Sequence, residues 1–307
     1  MKRVLVTGAA GFVGRHITRQ LQARGDHVIG SLLLGHTPPA FLPDVEWVPL
    51  TLGDEESART LIARAKAEEV YHLASPAYVP QVQAAPEQAI QQIVIGTLQL
   101  LRAASAAQTP RFLYVSSSEE YVLPVSSDTV IDERTPIGGR NVYGIAKMAA
   151  SQLALTFGNG MHTVVVRPFN QIGPGQAPEF AVASFAQQIA QIARGEREPV
   201  MRVGNLQVER DFIDIEDSAA AHIAALDEGL SGEAYNICSG TPTKLAALVT
   251  AMIRATGKEI KVEVDPARMR TNEVARVVGS AEKLQRVSGW VLRSTPEAAA
   301  LRCLQAS

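Results

Sequence analysis

Lys2-Arg3-Val4-Leu5-Val6-Thr7-Gly8-Ala9-Ala10-Gly11-Phe12-Val13-Gly14 opens the chain, and its reading decides the fold. Residues 2–7 read as a short strand buried on both faces, the kind found in parallel sheets. After the glycines, Ile17 and Leu21 mark one face of a helix. Glycines at 8 and 11 allow the backbone to turn tightly and approach a pyrophosphate. Gly14 allows close helix–strand packing, and the helix amino terminus, with Phe12 and Val13 in its first turn, faces the phosphate charge. A G-x-x-G-x-x-G spacing alone is weak evidence; between a strand and a helix it favours dinucleotide binding over an ordinary tight turn.

Outward from this turn, strand and helix alternate. Residues 28–30, 45–48, 70–74, 112–115 and 163–166 read as further strands, with helices around 12–24, 54–67, 86–107 and 143–157 between most of them. The alternation predicts an α/β fold with a doubly wound parallel sheet over residues 1–170. Past about residue 170 the pattern loosens, so 171–307 is expected to build a smaller substrate-binding lobe, with some segments returning to the first domain. The composition, 46% hydrophobic and 20% charged, is that of a globular chain. A net charge of -2 leaves no basic footprint for nucleic acid. Cys238 and Cys303 are too few and too distant for a disulfide framework, and the histidines lack ligand spacing, so no metal is expected. No run reaches membrane-spanning length, and the chain start does not read as a signal segment, so the expected location is cytoplasmic.

Tyr143 and Lys147 carry the chemistry. Residues four apart share a helix face, and an ammonium beside a phenol is expected to lower its pKa, suiting it to proton transfer in carbonyl/alcohol interconversion. By itself Y-x-x-x-K is commonplace on exposed helices. In company with T-G-A-A-G-F-V-G at 7–14, H-L-A-S at 72–75, V-S-S-S at 115–118 and R-P-F-N at 167–170, the pair resembles the extended short-chain dehydrogenase/reductase family over nearly the whole chain. The resemblance implies NADP or NAD as cofactor, a Rossmann domain, and a homodimer paired through the 86–107 and 143–157 helices. It assigns Ser117 to join Tyr143 and Lys147, with Ser118, one step away, as the alternative for that role and a substrate contact, and Leu73, Ala74 and Asp54 to line the cofactor. Lys147 is also implied to bind the nicotinamide ribose.

Gly204-Asn205-Leu206 followed by Arg210-Asp211-Phe212, and Asp265-Pro266 followed by Arg270 and Glu273-Val274, are similar to segments of enzymes acting on GDP-linked deoxyhexoses. Arginine's planar fork suits diphosphate, so Arg210 and Arg270 are candidate diphosphate ligands. Glu273 and Asn170 are candidate substrate contacts, although Glu273 equally suits orienting Arg270. Within this group the chain is similar both to GDP-mannose 4,6-dehydratases and to the reductases of their 4-keto-6-deoxy product. Glu119 stands where the dehydratase keeps its acid/base, while length and the R-D-F-I-D run lean to the reductase, giving GDP-rhamnose or its C4 epimer. Other nucleotide-sugar epimerases, or a dinucleotide-binding sensor or scaffold without turnover, are the alternatives. Three departures stand out. Ser31-Leu32-Leu33-Leu34 offers neither the acid that would read ribose hydroxyls nor an arginine, a slight tilt to NADP, with Arg15 or Arg19 as substitutes. Val122 replaces a glycine, and Ile93 replaces an asparagine.

Overall fold

The computed structural model describes residues 1–123, 129–157, 160–269 and 274–307. The first strand, β1 (Arg3–Thr7), leads through the glycine turn into α1 (Phe12–Ala23) and β2 (His27–Leu32). Next come β3 (Glu46–Pro49), α2 (Glu55–Ala65) and β4 (Glu69–His72). The stretch read as one helix over 86–107 is divided. After α3 (Val79–Ala84) and α4 (Pro86–Ala89), a π-helical segment (Ile90–Ile95) precedes α5 (Gly96–Ala106). Then follow β5 (Arg111–Val115), a single 3-10 turn (Ser118–Glu120), α6 (Val142–Thr156) and β6 (His162–Pro168).

Among the described residues the main sheet has strand order β10-β6-β5-β4-β1-β2-β3, β10 being Glu233–Ile237. All its pairings are parallel. From β1 the chain runs outward to β2 and β3, and then crosses to β4 and continues the other way. The strand order therefore reverses between β1 and β4, and ligands of open α/β sheets bind outside the carboxyl ends of strands at such a point.

Alternate residues of the central strands point to opposite faces. Val4, Val6, Leu113, Val164 and Val166 enter one core, and Leu5, Val70, Phe112, Tyr114 and Val165 the other. Both faces are covered, which is why these strands read as unbroken apolar runs rather than alternating ones. Each such side chain contributes about 1.5–3 kcal/mol by leaving water.

Beyond β6 lies β7 (Asn170–Ile172), then α7 (Ala181–Ala193), β8 (Val200–Val203) and β9 (Glu209–Asp214). From β9, α8 (Ile215–Glu228) carries the chain back to β10 in the main sheet. After β10 come β11 (Pro242–Lys244), α9 (Leu245–Thr256), β12 (Lys261–Val264), β13 (Arg276–Val277), α10 (Glu282–Ser288) and α11 (Pro296–Gln305). Strand β9 pairs with β7, β11 and β13, and β8 with β12. A third apolar core joins α7, α9 and α11 to these strands through Phe185, Ile189, Phe212, Leu248, Met252 and Ala300. Among the described residues no helix is long and apolar enough to cross a membrane, and no metal-binding cluster forms.

Candidate active site

The glycine turn sits at the β1/β4 crevice. Gly8 has φ +72°, and a Cβ there would stand 3.0 Å from Ala74 N, so only glycine lets the turn meet the segment leaving β4. A Cβ on Gly14 would collide with the Gly8 carbonyl, which fixes the close approach of α1 to β1. Thr7 Oγ1 accepts from both Leu73 N and Ala74 N at 3.1 Å, and Ser31 Oγ accepts from Gly8 N at 3.0 Å. Gly11, with no side chain to cap the helix, occupies the N-cap of α1, and Phe12 and Val13 form its first turn. Gly8, Gly11, Phe12, Val13, Gly14, Leu73 and Ala74 thus lie at one mouth. The cradle that added Cβ atoms would fill fits the diphosphate of a dinucleotide.

His72 fixes the floor of this mouth. The Thr7 hydroxyl, already an acceptor for two amides, donates to His72 Nδ1 at 2.8 Å. Thr97 Oγ1 donates to the Ile93 carbonyl at 2.5 Å and lies 3.1 Å from His72 Nε2, which must therefore carry the proton. Burial, helped by the Lys147 charge, drives His72 down to about 3, so this ring is neutral.

At the carboxyl end of β5 the chain turns into the 3-10 segment opposite the start of α6. Asn141 caps α6 by accepting from Gly144 N at 2.8 Å. Gly144 lies so close to the Glu119 carbonyl that a Cβ would collide with it. Tyr143, Ala146, Lys147, Ala150, Ser151 and Ala154 form the buried stripe of α6, recurring every three or four residues. Tyr143 and Lys147 therefore share a face, as their spacing implies. Lys147 is 3% exposed, donates to the Val115 carbonyl at 2.9 Å, and lies 5.9 Å from the Tyr143 ring centroid.

The electrostatics correct the sequence expectation. Burial pushes the Tyr143 phenol up to about 12; a hydrogen bond with Ser117 draws it back, and the carboxylates of Glu119 and Glu120 push it further up. Desolvation is the largest influence on the phenol, and burial lowers the Lys147 ammonium to about 7 against the pull of Glu120. Ser117 accepts from Glu119 N at 3.2 Å and is the serine whose hydroxyl lowers the Tyr143 phenol, whereas Ser118 opens the 3-10 turn.

Glu119 is held by partners that the sequence reading missed. Arg140 donates to both its oxygens at 3.1 Å, and Asn141 Nδ2 donates at 3.0 Å. Asp54 sits at the N-cap of α2, accepting from Ser57 N at 2.6 Å. In the lobe, Asn170 Nδ2 donates to the Asp211 carbonyl at 2.9 Å, and Arg210 Nη1 donates to the Glu209 carbonyl at 2.9 Å. Arg270 and Glu273 lie outside the described residues. Asp211 was missed: its buried carboxylate accepts from Ser239 N, Ser239 Oγ, Gly240 N and Gly279 N, knitting three lobe segments together. Four converging donors leave no signal in a linear sequence.

A Rossmann sheet with a serine, a tyrosine and a lysine gathered at the carboxyl ends of its strands defines an extended short-chain dehydrogenase/reductase. Residues 5–299 match the family model described as GDP-mannose 4,6 dehydratase, and the chain belongs to that family. It is 37% identical over 294 residues to the GDP-6-deoxy-D-mannose reductase of Pseudomonas aeruginosa, spanning 94% of this chain and 91% of that one. The solved structure of RMD from Pseudomonas aeruginosa complexed with NADPH superposes with a TM-score of 0.85 at 32% identity, covering 100% of this chain and 98% of that one. The Thermus thermophilus UDP-glucose 4-epimerase in complex with NAD gives 0.87 at 26% identity, covering 99% and 98%.

Proposed function

We propose that the protein reduces the C4 keto group of a GDP-linked 4-keto-6-deoxyhexose to GDP-rhamnose or its C4 epimer. A bound nicotinamide dinucleotide would supply the hydride. The chain's own residues do the rest. Tyr143 holds a proton through the neutral range, because burial raises it to about 12, and so is a donor to an alkoxide forming at C4. Ser117, whose hydroxyl draws the Tyr143 phenol down, holds the substrate oxygen beside it. Lys147, buried beneath, supplies positive charge where negative charge develops and holds the nicotinamide ribose. Gly8, Gly11, Phe12, Val13 and Gly14 hold the diphosphate, with Leu73 and Ala74 along the cofactor. Asn170, Arg210, Arg270, Glu273 and Ser118 are the proposed sugar-nucleotide contacts.

The observation that carries reduction over dehydration is the clamp on Glu119. Dehydration needs this carboxylate to exchange a proton, and it is bound by Arg140 through both oxygens and by Asn141. With its oxygens so occupied, the carboxylate is not free to approach a leaving hydroxyl. The presence of Glu119 and the family description support the dehydratase as second reading. NADP is the preferred cofactor, supported by the run from Ser31 to Leu34, which offers no acid to read ribose hydroxyls, and by the cations of Arg15 and Arg19 on α1, which lie 4.9 and 5.9 Å from the Phe41 ring centroid. A homodimer through the 86–107 stretch and α6 is proposed on the exposed Ile90 of the π-helical segment and the exposed Ile145 of α6.

The test is turnover of GDP-4-keto-6-deoxymannose followed by nicotinamide absorbance with NADPH and with NADH, and of GDP-mannose without added reductant. Oxidation of NADPH with the keto sugar is the expected result; keto-sugar formation from GDP-mannose alone would transfer the assignment to the dehydratase. Tyr143→Phe is expected to lower kcat by about 10²–10⁴-fold with KM little changed.

A further inference from the structure

Beneath Lys147 lies a buried ion pair that the mechanism above leaves unused. Glu120 has no exposed surface, and Arg167 is 4% exposed. Arg167 Nε donates to Glu120 Oε2 at 2.8 Å, Ser151 Oγ donates to the same oxygen at 3.2 Å, and Ser116 Oγ donates to Oε1. Arg167 Nη1 also donates to the Tyr121 hydroxyl at 3.1 Å, and that hydroxyl donates to Asn236 Oδ1 at 2.7 Å. Apolar side chains of similar volume hold secondary-structure elements together at least as well as a buried ion pair. Packing alone therefore gives no account of these charges.

Their placement gives one. Ser151 follows Lys147 by one turn of α6, and Ser116 Oγ, besides bonding Glu120, lies 3.4 Å from the Lys147 carbonyl. Lys147 itself makes no carboxylate ion pair among the described residues. The groups around it are Tyr114 and the Val115 carbonyl on β5, neutral His72 on β4, Tyr143 on its own helix, and Glu120 from the 3-10 turn with Arg167 of β6 behind it. Glu119, which acts on Tyr143, is already paired with Arg140.

We propose that Glu120 is the buried counter-charge of Lys147, a positioning residue that keeps the ammonium protonated and acts on Tyr143 and the cofactor ribose through it. The proposal rests on the role given to Lys147 above. Arg167, Ser116 and Ser151 keep the carboxylate ionised against its burial, and the carboxylate in turn opposes the desolvation that drives the lysine toward neutrality. Two neighbouring glutamates thus divide the work. Glu119 is paired with Arg140 and Asn141, and Glu120 is buried against Ser151 of α6 and Arg167 of β6.

The test reads Lys147 directly. In protein labelled with ¹³C at lysine Cε, with the Lys147 resonance assigned by Lys147→Arg, its titration midpoint is followed by NMR in the wild type, Glu120→Gln and Ser151→Ala. Glu120→Gln is expected to lower the midpoint by about one to two pH units, and Ser151→Ala, which keeps the charge, to leave it nearly in place. An unchanged midpoint in Glu120→Gln overturns the proposal, as does an equal shift in Ser151→Ala, which would trace the effect to packing. Should Glu120→Gln not fold, ¹³Cδ-glutamate labelling of the wild type replaces it. The Glu120 carbon must then show a second inflection at the Lys147 midpoint, and its absence overturns the proposal. No substrate is needed, so failure of the reductase reading shows separately, as absent turnover by the wild type. Where turnover is measured, the alkaline limb of kcat/KM is expected to move down with the NMR midpoint.

Discussion

Arg140 determines what Glu119 does to its neighbour. The Glu119 charge raises the Tyr143 phenol, and Arg140 offsets that charge through two hydrogen bonds of 3.1 Å. In Arg140→Ala the carboxylate stands unopposed, so Tyr143 should titrate higher and the reverse reaction, in which the phenol must accept a proton, should slow. The pair is partly exposed, at 38% and 31% of the two side chains, and solvent screening limits the loss to about two- to fivefold in kcat/KM for alcohol oxidation. Steady-state kinetics in the oxidative direction check this; no change would mean that Glu119 is screened without Arg140. The sequence made Tyr143 and Lys147 legible because a spacing of four is a property of one helix. The Glu119–Arg140 pair was not, since its partners lie 21 residues apart and only the return of the chain into α6 joins them. Nor do adjacent glutamates in Ser118-Glu119-Glu120 declare which one is buried; the 3-10 turn decides that.

At the scale of elements, the apolar periodicities located the central strands to within a residue or two, because strands covered on both faces are simple runs of Val, Leu and Tyr. The 86–107 helix was less legible. Ile90, Ile93, Val94 and Ile95 suit either an α or a π repeat, and what decides lies elsewhere: Thr97 donates back to the Ile93 carbonyl while taking the His72 proton. The polar chain Thr97–His72–Thr7 ties the end of the π segment to the β4 exit and the glycine turn. Thr97→Val keeps the volume but leaves His72 Nε2–H without its acceptor, and burial denies it water. A loss of about 1–3 kcal/mol in unfolding free energy is expected, read from the denaturant midpoint. Dinucleotide affinity should fall with it, because Thr7 Oγ1 also anchors Leu73 and Ala74. A variant as stable as the wild type would show that the chain relaxes around the loss.

For the molecule as a whole, α8 is the span that carries the chain from lobe strand β9 back to sheet strand β10, and His222 lies fully buried upon it. Its Nδ1 faces the Ser218 carbonyl at 2.7 Å, and its Nε2 finds no partner among the described residues. Burial lowers its pKa from the ordinary 6.5 to about 4. Between those two values the unfolded chain binds a proton that the native protein does not, so stability falls as pH drops through this window and is unaffected above it. The full effect is about 3 kcal/mol from this one side chain. His72 acts in the same direction over a wider window, from 6.5 to about 3. Buried carboxylates such as Asp211, raised by desolvation, act in the opposite sense, so the acid limb of the wild type alone would not isolate the histidine. A difference between two proteins does. His222→Leu removes the titrating group at similar volume, and its unfolding free energy should fall less steeply than that of the wild type between pH 6.5 and about 4, the two curves running parallel above about pH 7. Urea titrations across that range measure the divergence. Curves parallel throughout would mean that the native protein admits the proton, and that α8 opens to solvent before the sheet does.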